Sequence, residues 1–178
     1  MIDNYKIYKF DYIKENQSDI IRVADICHSN LISEGFGDTT WSYYLYNIFS
    51  ASSPSLHYYR IFKKLRDIIR EHVKEEHIWL QAWLNMHDHD TVLDWHNHTA
   101  PYHGYISIEP QDTTTEFEDW EVVNECGNIY FGNGNVRHRV VNNSHYTGKR
   151  ITIGYDVIPE SAFEHSYPTA QYGAIPLL

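Results

Sequence analysis

Cysteine is scarce in this chain of 178 residues, which contains only Cys27 and Cys126. Two cysteines far apart in sequence argue against a disulfide framework and are typical of a protein with free thiols in a reducing compartment. The first residues also lack the apolar segment of a secretory signal peptide. From these absences we expect a cytoplasmic protein.

Basic residues are few as well: 14 Lys and Arg stand against 24 Asp and Glu, which gives a formal net charge of −10. A protein that binds a nucleic-acid backbone needs a basic surface, so this balance argues against such a partner. Apolar runs of about 18 residues are absent, so no membrane-spanning helix is expected. We expect the partner to be a small-molecule substrate or a protein side chain.

Aromatic residues and histidine are abundant, with 15 Tyr, 7 Phe, 5 Trp and 12 His. Large rings mostly pack in a core, and some line clefts. Hydrophobic residues make up 42% of the chain, which indicates a globular protein. The length suits one domain with a sizeable core, so we expect a single domain over residues 1–178.

The first part of the chain, residues 1–77, is predicted to be mainly helical. It opens with an edge strand within residues 1–13. Apolar residues then recur at helical spacing after Ser18, and again from Pro54 to about Glu76. We expect these helices to pack on the strands that follow.

The second part, residues 78–158, has an apolar period of two, which is typical of strands. Along its first strand Leu84 faces one way, while Trp83 and Asn85 face the other. Helices followed by many short strands indicate an α+β fold in which the strands form a sandwich or barrel. The tail, residues 159–178, is predicted to wrap the surface or reach a partner subunit, so a homodimer is one expectation. The predicted strands are 78–86, 102–108, 120–123, 128–131, 138–141 and 150–158.

Two histidines, His96 and His98, stand one residue apart in Trp95-His96-Asn97-His98. On an extended segment their side chains point the same way, with Cα atoms about 6–7 Å apart, so both imidazoles can reach one metal ion. A third imidazole, from His138 on a distant strand, can complete one face of that ion. We therefore predict that His96, His98 and His138 are metal ligands.

Arg150 opens the last predicted strand, where it shares one face with Thr152, Gly154 and Asp156. A guanidinium donates two parallel hydrogen bonds to a carboxylate, and a neighbouring hydroxyl and a small glycine favour such a clamp over a core face. We predict that Arg150 and Thr152 bind an anionic co-substrate beside the metal.

Two other groups near these residues are candidate ligands. The segment His87-Asp88-His89-Asp90 has metal-binding side chains, but its polarity and its place at a strand end favour a solvated loop. Asp94 lies two residues before His96 and would reverse the usual order of a His-x-carboxylate motif, which favours His98 as the ligand.

In their order along the chain, several segments resemble the 2-oxoglutarate- and Fe(II)-dependent oxygenase superfamily. Within it, the chain is similar to small oxygenases of bacteria and phages that have a Trp-His-x-His segment. The resemblance covers about residues 79–158. The segments that carry it are Trp83-Leu84-Asn85, Trp95-His96-Asn97-His98, Gly104-Tyr105-Ile106-Ser107, Gly127-Asn128-Ile129-Tyr130-Phe131, His138-Arg139-Val140 and Arg150-Ile151-Thr152-Ile153.

The resemblance implies a double-stranded β-helix, that is, a cupin-like jelly-roll, over residues 78–158. It also implies Fe(II) held by His96 and His138, and 2-oxoglutarate whose distal carboxylate binds Arg150 with help from Thr152. Such enzymes often line the co-substrate pocket at three further positions, which are here Asn85, Tyr102 and Tyr105.

One position departs from the superfamily pattern. The usual motif is His-x-Asp or His-x-Glu, and His98 stands here in place of the carboxylate. The 2-His-1-carboxylate triad is diagnostic of iron, and three neutral imidazoles leave the ion more positively charged.

The reaction that the resemblance implies is hydroxylation or a related C–H oxidation, with 2-oxoglutarate decarboxylated to succinate.

Two alternatives stay open at the level of sequence. One is a three-His cupin-type enzyme, such as a thiol dioxygenase or an isomerase, and the other is a non-catalytic jelly-roll binding protein. The cupin motif usually has a glutamate a few residues after His-x-His, whereas here the first is Glu109. That spacing favours the oxygenase.

Overall fold

A computed structural model describes residues 5–91, 93–162 and 173–177. Its helices are α1 (Asp11–Glu15), α2 (Gln17–Ser33), α3 (Ile48–Ala51) and α4 (Leu56–His72), and a 3-10 turn covers Tyr43–Leu45. Its strands are β1 (Tyr5–Lys9), β2 (Ile78–His87), β3 (Leu93–His96), β4 (Tyr102–Glu109), β5 (Thr113–Phe117), β6 (Glu121–Val123), β7 (Asn128–Asn133), β8 (His138–Asn142), β9 (Arg150–Pro159) and β10 (Ile175–Pro176).

The strands form two antiparallel sheets. The larger has the order β1-β7-β4-β9-β2-β10, and the smaller has the order β3-β8-β5-β6. Strands β2 and β9 pair along their full length, from Ile78 opposite Pro159 to His87 opposite Arg150. Two antiparallel sheets with helices on one side confirm the predicted α+β jelly-roll.

The helices cover the outer face of the larger sheet. Leu80 and Leu84 of β2 are fully buried there with Ile20 of α2 and with Ile61 and Leu65 of α4. Burial of each such side chain stabilises the fold by about 1.5–3 kcal/mol. This apolar layer makes the larger sheet a rigid support for the residues on its other face.

Helix α4 confirms the helix predicted after Pro54, in a shorter form. The Ser55 side chain accepts a hydrogen bond from the backbone N–H of Tyr58 and so caps the first turn. The helix ends at His72 rather than near Glu76, because Val73 already has an extended backbone conformation. The predicted edge strand likewise ends early, at Lys9, since Asp11 begins α1, and residues 1–4 of that prediction lie outside the described residues.

The inner face of the larger sheet carries polar and aromatic side chains. Alternation along β2 places Trp83 and Asn85 on this face, opposite Leu84, as predicted. His87, the last residue of β2, follows on the same face. Alternation along β9 does the same for Arg150 and Thr152. The smaller sheet lies across from these residues, so a cleft forms between the two sheets.

The end of the chain adds one short strand. Ile175 of β10 pairs with Leu80 of β2 at the edge of the larger sheet. Residues 163–172 and 178 of the predicted tail lie outside the described residues. Among the helices that the structure describes, none is both long and apolar enough to cross a membrane.

Candidate metal centre and anion pocket

Three histidines converge where the smaller sheet faces the cleft. His96 is the last residue of β3 and pairs directly with His138, the first residue of β8. Their ring centroids are 4.4 Å apart, and the His98 ring lies 5.5 Å from each. The structure therefore brings together the three predicted metal ligands.

His98 reaches this group from outside a strand. A register shift between Leu93 and His96 marks the end of β3, and the chain then turns away. The backbone N–H of His98 donates to the carbonyl of Gly134 at 2.8 Å. The prediction that His96 and His98 share one strand is thus wrong in detail, although both rings face the same point.

The Nδ1 atom of each ring lies beside an oxygen acceptor. His96 Nδ1 is 2.7 Å from the carbonyl of Asp94, and His138 Nδ1 is 3.1 Å from the carbonyl of Val136. His98 Nδ1 is 3.0 Å from Oδ1 of Asp156. A carbonyl oxygen only accepts, so Nδ1 carries the proton in the first two rings, and the Asp156 carboxylate favours the same tautomer in the third.

This tautomer leaves Nε2 of each ring with a free lone pair. His98 Nε2 is buried and has no hydrogen-bond partner, which is unusual for a buried polar atom. One ligand atom from each of the three rings lies within 4.8 Å of the other two. An orphaned imidazole nitrogen within such a group fits a metal site.

Burial favours the uncharged form of two of these imidazoles, His96 and His138. It lowers the pKa of His96, and it lowers the pKa of His138 to about 2. Only the neutral ring offers a lone pair to a metal. At neutral pH both rings are therefore ready to coordinate without first losing a second proton.

Two further residues contact the predicted ligand His98, and the sequence did not predict these contacts. His103 of β4 donates through Nδ1 to Oδ1 of Asp156 at 3.0 Å, and its ring stacks on that of His98 with centroids 3.5 Å apart. Asp156 lies on the predicted inner face of β9. The sequence could have placed His103 in the cleft, because it lies two residues before Tyr105 and side chains two apart on a strand share one face.

Arg150 lies at the other end of β9, in the same cleft. It is 5% exposed, and its Nη2 donates to Nδ1 of His87 at 2.9 Å. His87 Nε2 in turn is 2.7 Å from Oγ1 of Thr40. Among the described residues, no carboxylate forms an ion pair with Arg150, so the cleft contains a buried cation that lacks an anion.

The prediction of a solvated loop at His87-Asp88-His89-Asp90 is wrong for its first residue. His87 is the last residue of β2 and is 3% exposed. Burial, followed by the charge of Arg150, lowers its pKa to about 4. Asp88 and Asp90 do follow the end of the strand, and their polarity was the reason that His87 was also assigned to the loop.

The predicted co-substrate residues divide between two faces. Asn85 Nδ2 donates to Thr152 Oγ1 at 3.2 Å, and both residues line the cleft with Tyr105. Tyr102 instead stacks on Phe131 within the helix-side core, with ring centroids 5.5 Å apart. Its predicted place in the pocket is wrong, because residues three apart on a strand face opposite ways.

The cleft has a cavity volume of about 80 Å³ and is partly open to solvent. Its inner wall includes Trp83, whose ring is stacked 5.7 Å from that of His98. Trp41, at 59% exposed, lies where the cleft meets solvent. The cleft therefore joins the three imidazoles and Arg150 in one space that is accessible from outside.

Solved structures share this fold at very low sequence identity. HygX from Streptomyces hygroscopicus, with nickel and 2-oxoglutarate bound, aligns with a TM-score of 0.58 and 11% identity over 88% of this chain and 82% of that chain. Apo ThoJ, a non-heme monooxygenase, aligns with a TM-score of 0.61 and 9% identity over 88% and 74% of the two chains. No protein-family model and no curated protein matches the sequence.

Proposed function

We propose that this protein is an Fe(II)- and 2-oxoglutarate-dependent oxygenase that oxidises a C–H bond of a small molecule or a protein side chain. One observation carries the proposal: three imidazoles whose ligand atoms converge share a cleft with a buried arginine that has no carboxylate partner among the described residues. The fold neighbour HygX adds support, since it was solved with iron and with 2-oxoglutarate.

The metal would be held by His96, His98 and His138. Imidazole nitrogen is a suitable ligand for iron, and each ring is oriented by an oxygen acceptor at Nδ1. When bound, the iron would supply the activation of O₂; 2-oxoglutarate, which becomes succinate and CO₂, and the substrate C–H bond would each give two electrons and each take up one oxygen atom.

Arg150 would bind the distal carboxylate of 2-oxoglutarate. Its guanidinium is buried and has no anionic partner among the described side chains, so a carboxylate entering the cleft would gain charge-assisted hydrogen bonds. Thr152 and Asn85 provide neutral hydrogen-bonding groups on the adjoining part of the same wall. Together they would fix the orientation of the co-substrate before reaction.

Aromatic side chains would restrict the access of water. Trp83 covers Gly154 and stacks beside His98, and Tyr43 packs on Trp83 with centroids 5.1 Å apart. Such walls lower the local dielectric constant and strengthen the interaction of Arg150 with an anion. The open side of the cleft near Trp41 is the route by which a substrate would enter.

Succinate formation tests the proposal. Metal-free protein is loaded anaerobically with Fe(II), mixed with 2-oxoglutarate and exposed to air, and succinate is quantified by mass spectrometry. We expect succinate only when Fe(II), 2-oxoglutarate and O₂ are all present, even as slow turnover without a primary substrate.

Other results would favour the alternatives. Oxidation of a thiol without 2-oxoglutarate would favour a three-His cupin-type enzyme and overturn the co-substrate. Failure of the wild type to bind Fe(II), or any other divalent metal, would favour a non-catalytic jelly-roll binding protein.

A further inference from the structure

Asp156 is a buried carboxylate between two imidazoles. It is 6% exposed, and its Oδ1 lies 3.0 Å from Nδ1 of His98 and 3.0 Å from Nδ1 of His103. Within the part of the chain that the structure describes, no Lys or Arg forms an ion pair with it. Burial of a charge without an opposite charge is unfavourable in free energy, so a nearby cation would stabilise this carboxylate.

The position of Asp156 is fixed by the larger sheet. It stands opposite His103 in the register of β9 and β4, both of which are interior strands of that sheet. The His103 ring stacks nearly parallel to that of His98, at an angle of 11°. The pair of His103 and Asp156 is therefore a rigid base on which the His98 ring rests.

His98, by contrast, has little support from its own backbone. It follows β3 and is outside any strand, and its backbone contact with Gly134 does not determine the direction of the ring. The Asp156 carboxylate does so, because it accepts a hydrogen bond from Nδ1 at Oδ2, at 3.4 Å, and places Oδ1 3.0 Å from the same atom, which selects both the ring orientation and the Nδ1–H tautomer. His96 and His138 need no such support, since backbone carbonyls accept from their Nδ1 atoms.

We propose that Asp156 is a positioning residue of the metal centre, which directs Nε2 of His98 to the ion. It also places a negative charge behind His98. In a 2-His-1-carboxylate triad, the corresponding negative charge lies on one of the ligands. This inference rests on the proposed function: the direction of His98 depends on its metal part alone, and the charge balance depends also on its dicarboxylate co-substrate. Here the carboxylate would lie behind the His98 imidazole instead of binding the metal, and it stays within the same cleft.

The charges of the cleft agree with this role. A divalent ion, Asp156 and Arg150 together carry two positive charges, which the two carboxylates of one dicarboxylate neutralise. Without Asp156 the same dicarboxylate would leave one positive charge in a buried space, which is unfavourable. A site with a carboxylate ligand in place of His98 and no Asp156 would have the same net charge. The presence of His98 instead of a carboxylate therefore leaves the net charge of the site unchanged.

Metal affinity is the first test. Asp156→Asn keeps the shape of the side chain and removes its charge, and we expect it to weaken binding of Co(II) and Fe(II) about 10- to 100-fold. Binding is measured anaerobically by competition with a chromophoric chelator. Asp94→Asn is the matched control, because it removes an exposed carboxylate next to His96 and leaves intact the backbone carbonyl that accepts from this ring. The control should bind within about twofold of the wild type.

The tautomer of His98 is the second test, and its first measurement uses the wild type alone. Nitrogen-15 NMR of the metal-free wild type at pH 8 should show the proton of His98 on Nδ1. In Asp156→Leu, which lacks the acceptor, the population should shift towards Nε2–H, while His96 and His138 keep their tautomers. A wild-type His98 that carries its proton on Nε2 would overturn the proposal even if no Asp156 variant folds.

The outcomes separate this inference from the proposed function. If the wild type binds no divalent ion, the metal site itself is wrong. If the wild type binds the ion and folded Asp156→Asn binds it equally well, the site stands and the role of Asp156 falls. The variants His103→Phe and His98→Phe distinguish a third case. If His103→Phe loses Co(II) binding while His98→Phe binds Co(II) like the wild type, His103 is the ligand and the assignment of His98 is overturned.

Discussion

The guanidinium of Arg150 donates to His87 Nδ1 at 2.9 Å, and this pairing orients the cation without neutralising it. A ring nitrogen that accepts from a guanidinium carries no proton, so Nε2–H of His87 is the donor to Thr40. A neutral imidazole thus occupies the position where many buried arginines have a carboxylate. The charge of Arg150 stays available for an anion that enters the cleft.

Loss of this charge should weaken co-substrate binding. We expect Arg150→Gln to reduce the affinity for 2-oxoglutarate at least about 30-fold, since removal of one partner of a buried charge pair costs about 2 kcal/mol or more. Equilibrium binding of 2-oxoglutarate to the Co(II)-loaded protein measures the change. Co(II) affinity without the co-substrate should be unaffected, because Arg150 contacts none of the three imidazoles.

Arg137→Gln is the control for that experiment. Arg137 lies on the surface, where it is paired with Glu118 at 3.8 Å and its side chain is 54% exposed. Its loss should leave 2-oxoglutarate affinity within about twofold of the wild type. Equal affinity in Arg150→Gln and the wild type would show that the co-substrate, if bound, lies elsewhere.

His87 should make stability depend on pH. Burial lowers its pKa from 6.5 to about 4, with a further contribution from Arg150; Asp38 and Asp88 oppose the shift, and Lys149 adds to it. The unfolded chain therefore takes up a proton before the folded chain does as pH falls. The stabilisation is complete above about pH 6.5 and is lost between about pH 6.5 and 4, with a magnitude of about 3 kcal/mol.

Urea unfolding of the metal-free protein at several pH values measures this effect. The free energy of unfolding of the wild type should fall more steeply below pH 6.5 than that of His87→Gln, which lacks the titrating group. The stability of the wild type relative to His87→Gln should therefore be highest near pH 8 and lowest near pH 4. A difference between them that is constant over this range would mean that the pKa of His87 is not lowered.

The sequence was sufficient to predict β2, β4, β8 and β9, and to place several of their side chains on the face that lines the cleft. A period of two places Asn85 on the inner face of β2 and Thr152 on that of β9, and the sheet register then sets them opposite each other. The same rule contradicts the choice of Tyr102 alongside Tyr105. Strand β5 was missed because three successive threonines give no alternation of polar and apolar residues.

The hydrogen-bonding partners of the ligands could not be predicted in this way. His98 and Asp156 are far apart in sequence and meet only because the smaller sheet folds across the larger one. His87 was assigned to a loop from its acidic neighbours, although the strand extends through it and buries it. Such pairings depend on how two sheets pack, which periodicity along one strand does not specify.

Gly154 is expected to tolerate no side chain. A Cβ atom there would lie 2.6 Å from Cε2 and Cζ2 of Trp83, closer than carbon atoms can approach. Gly154→Ala should therefore displace the indole ring and destabilise the protein by about 1–3 kcal/mol, and it should disturb the stacking of Trp83 on His98. Thermal unfolding and Trp fluorescence of the variant measure the two effects.

Gly148→Ala separates packing from backbone strain. Gly148 has a φ of 92° and no atom within 4 Å of an added Cβ, so substitution there strains the backbone without touching the cleft. Its stability should fall, while its Co(II) affinity should match that of the wild type. A Gly154→Ala protein with unchanged fluorescence and stability would contradict the packing described for Trp83.

Anomalous diffraction from crystals grown anaerobically with Fe(II) and 2-oxoglutarate tests the central claim most directly. We predict one iron peak about 2.1 Å from Nε2 of each of His96, His98 and His138, with the distal carboxylate of 2-oxoglutarate on Arg150. Iron bound instead between His103 and Asp156, or 2-oxoglutarate bound away from Arg150, would contradict it.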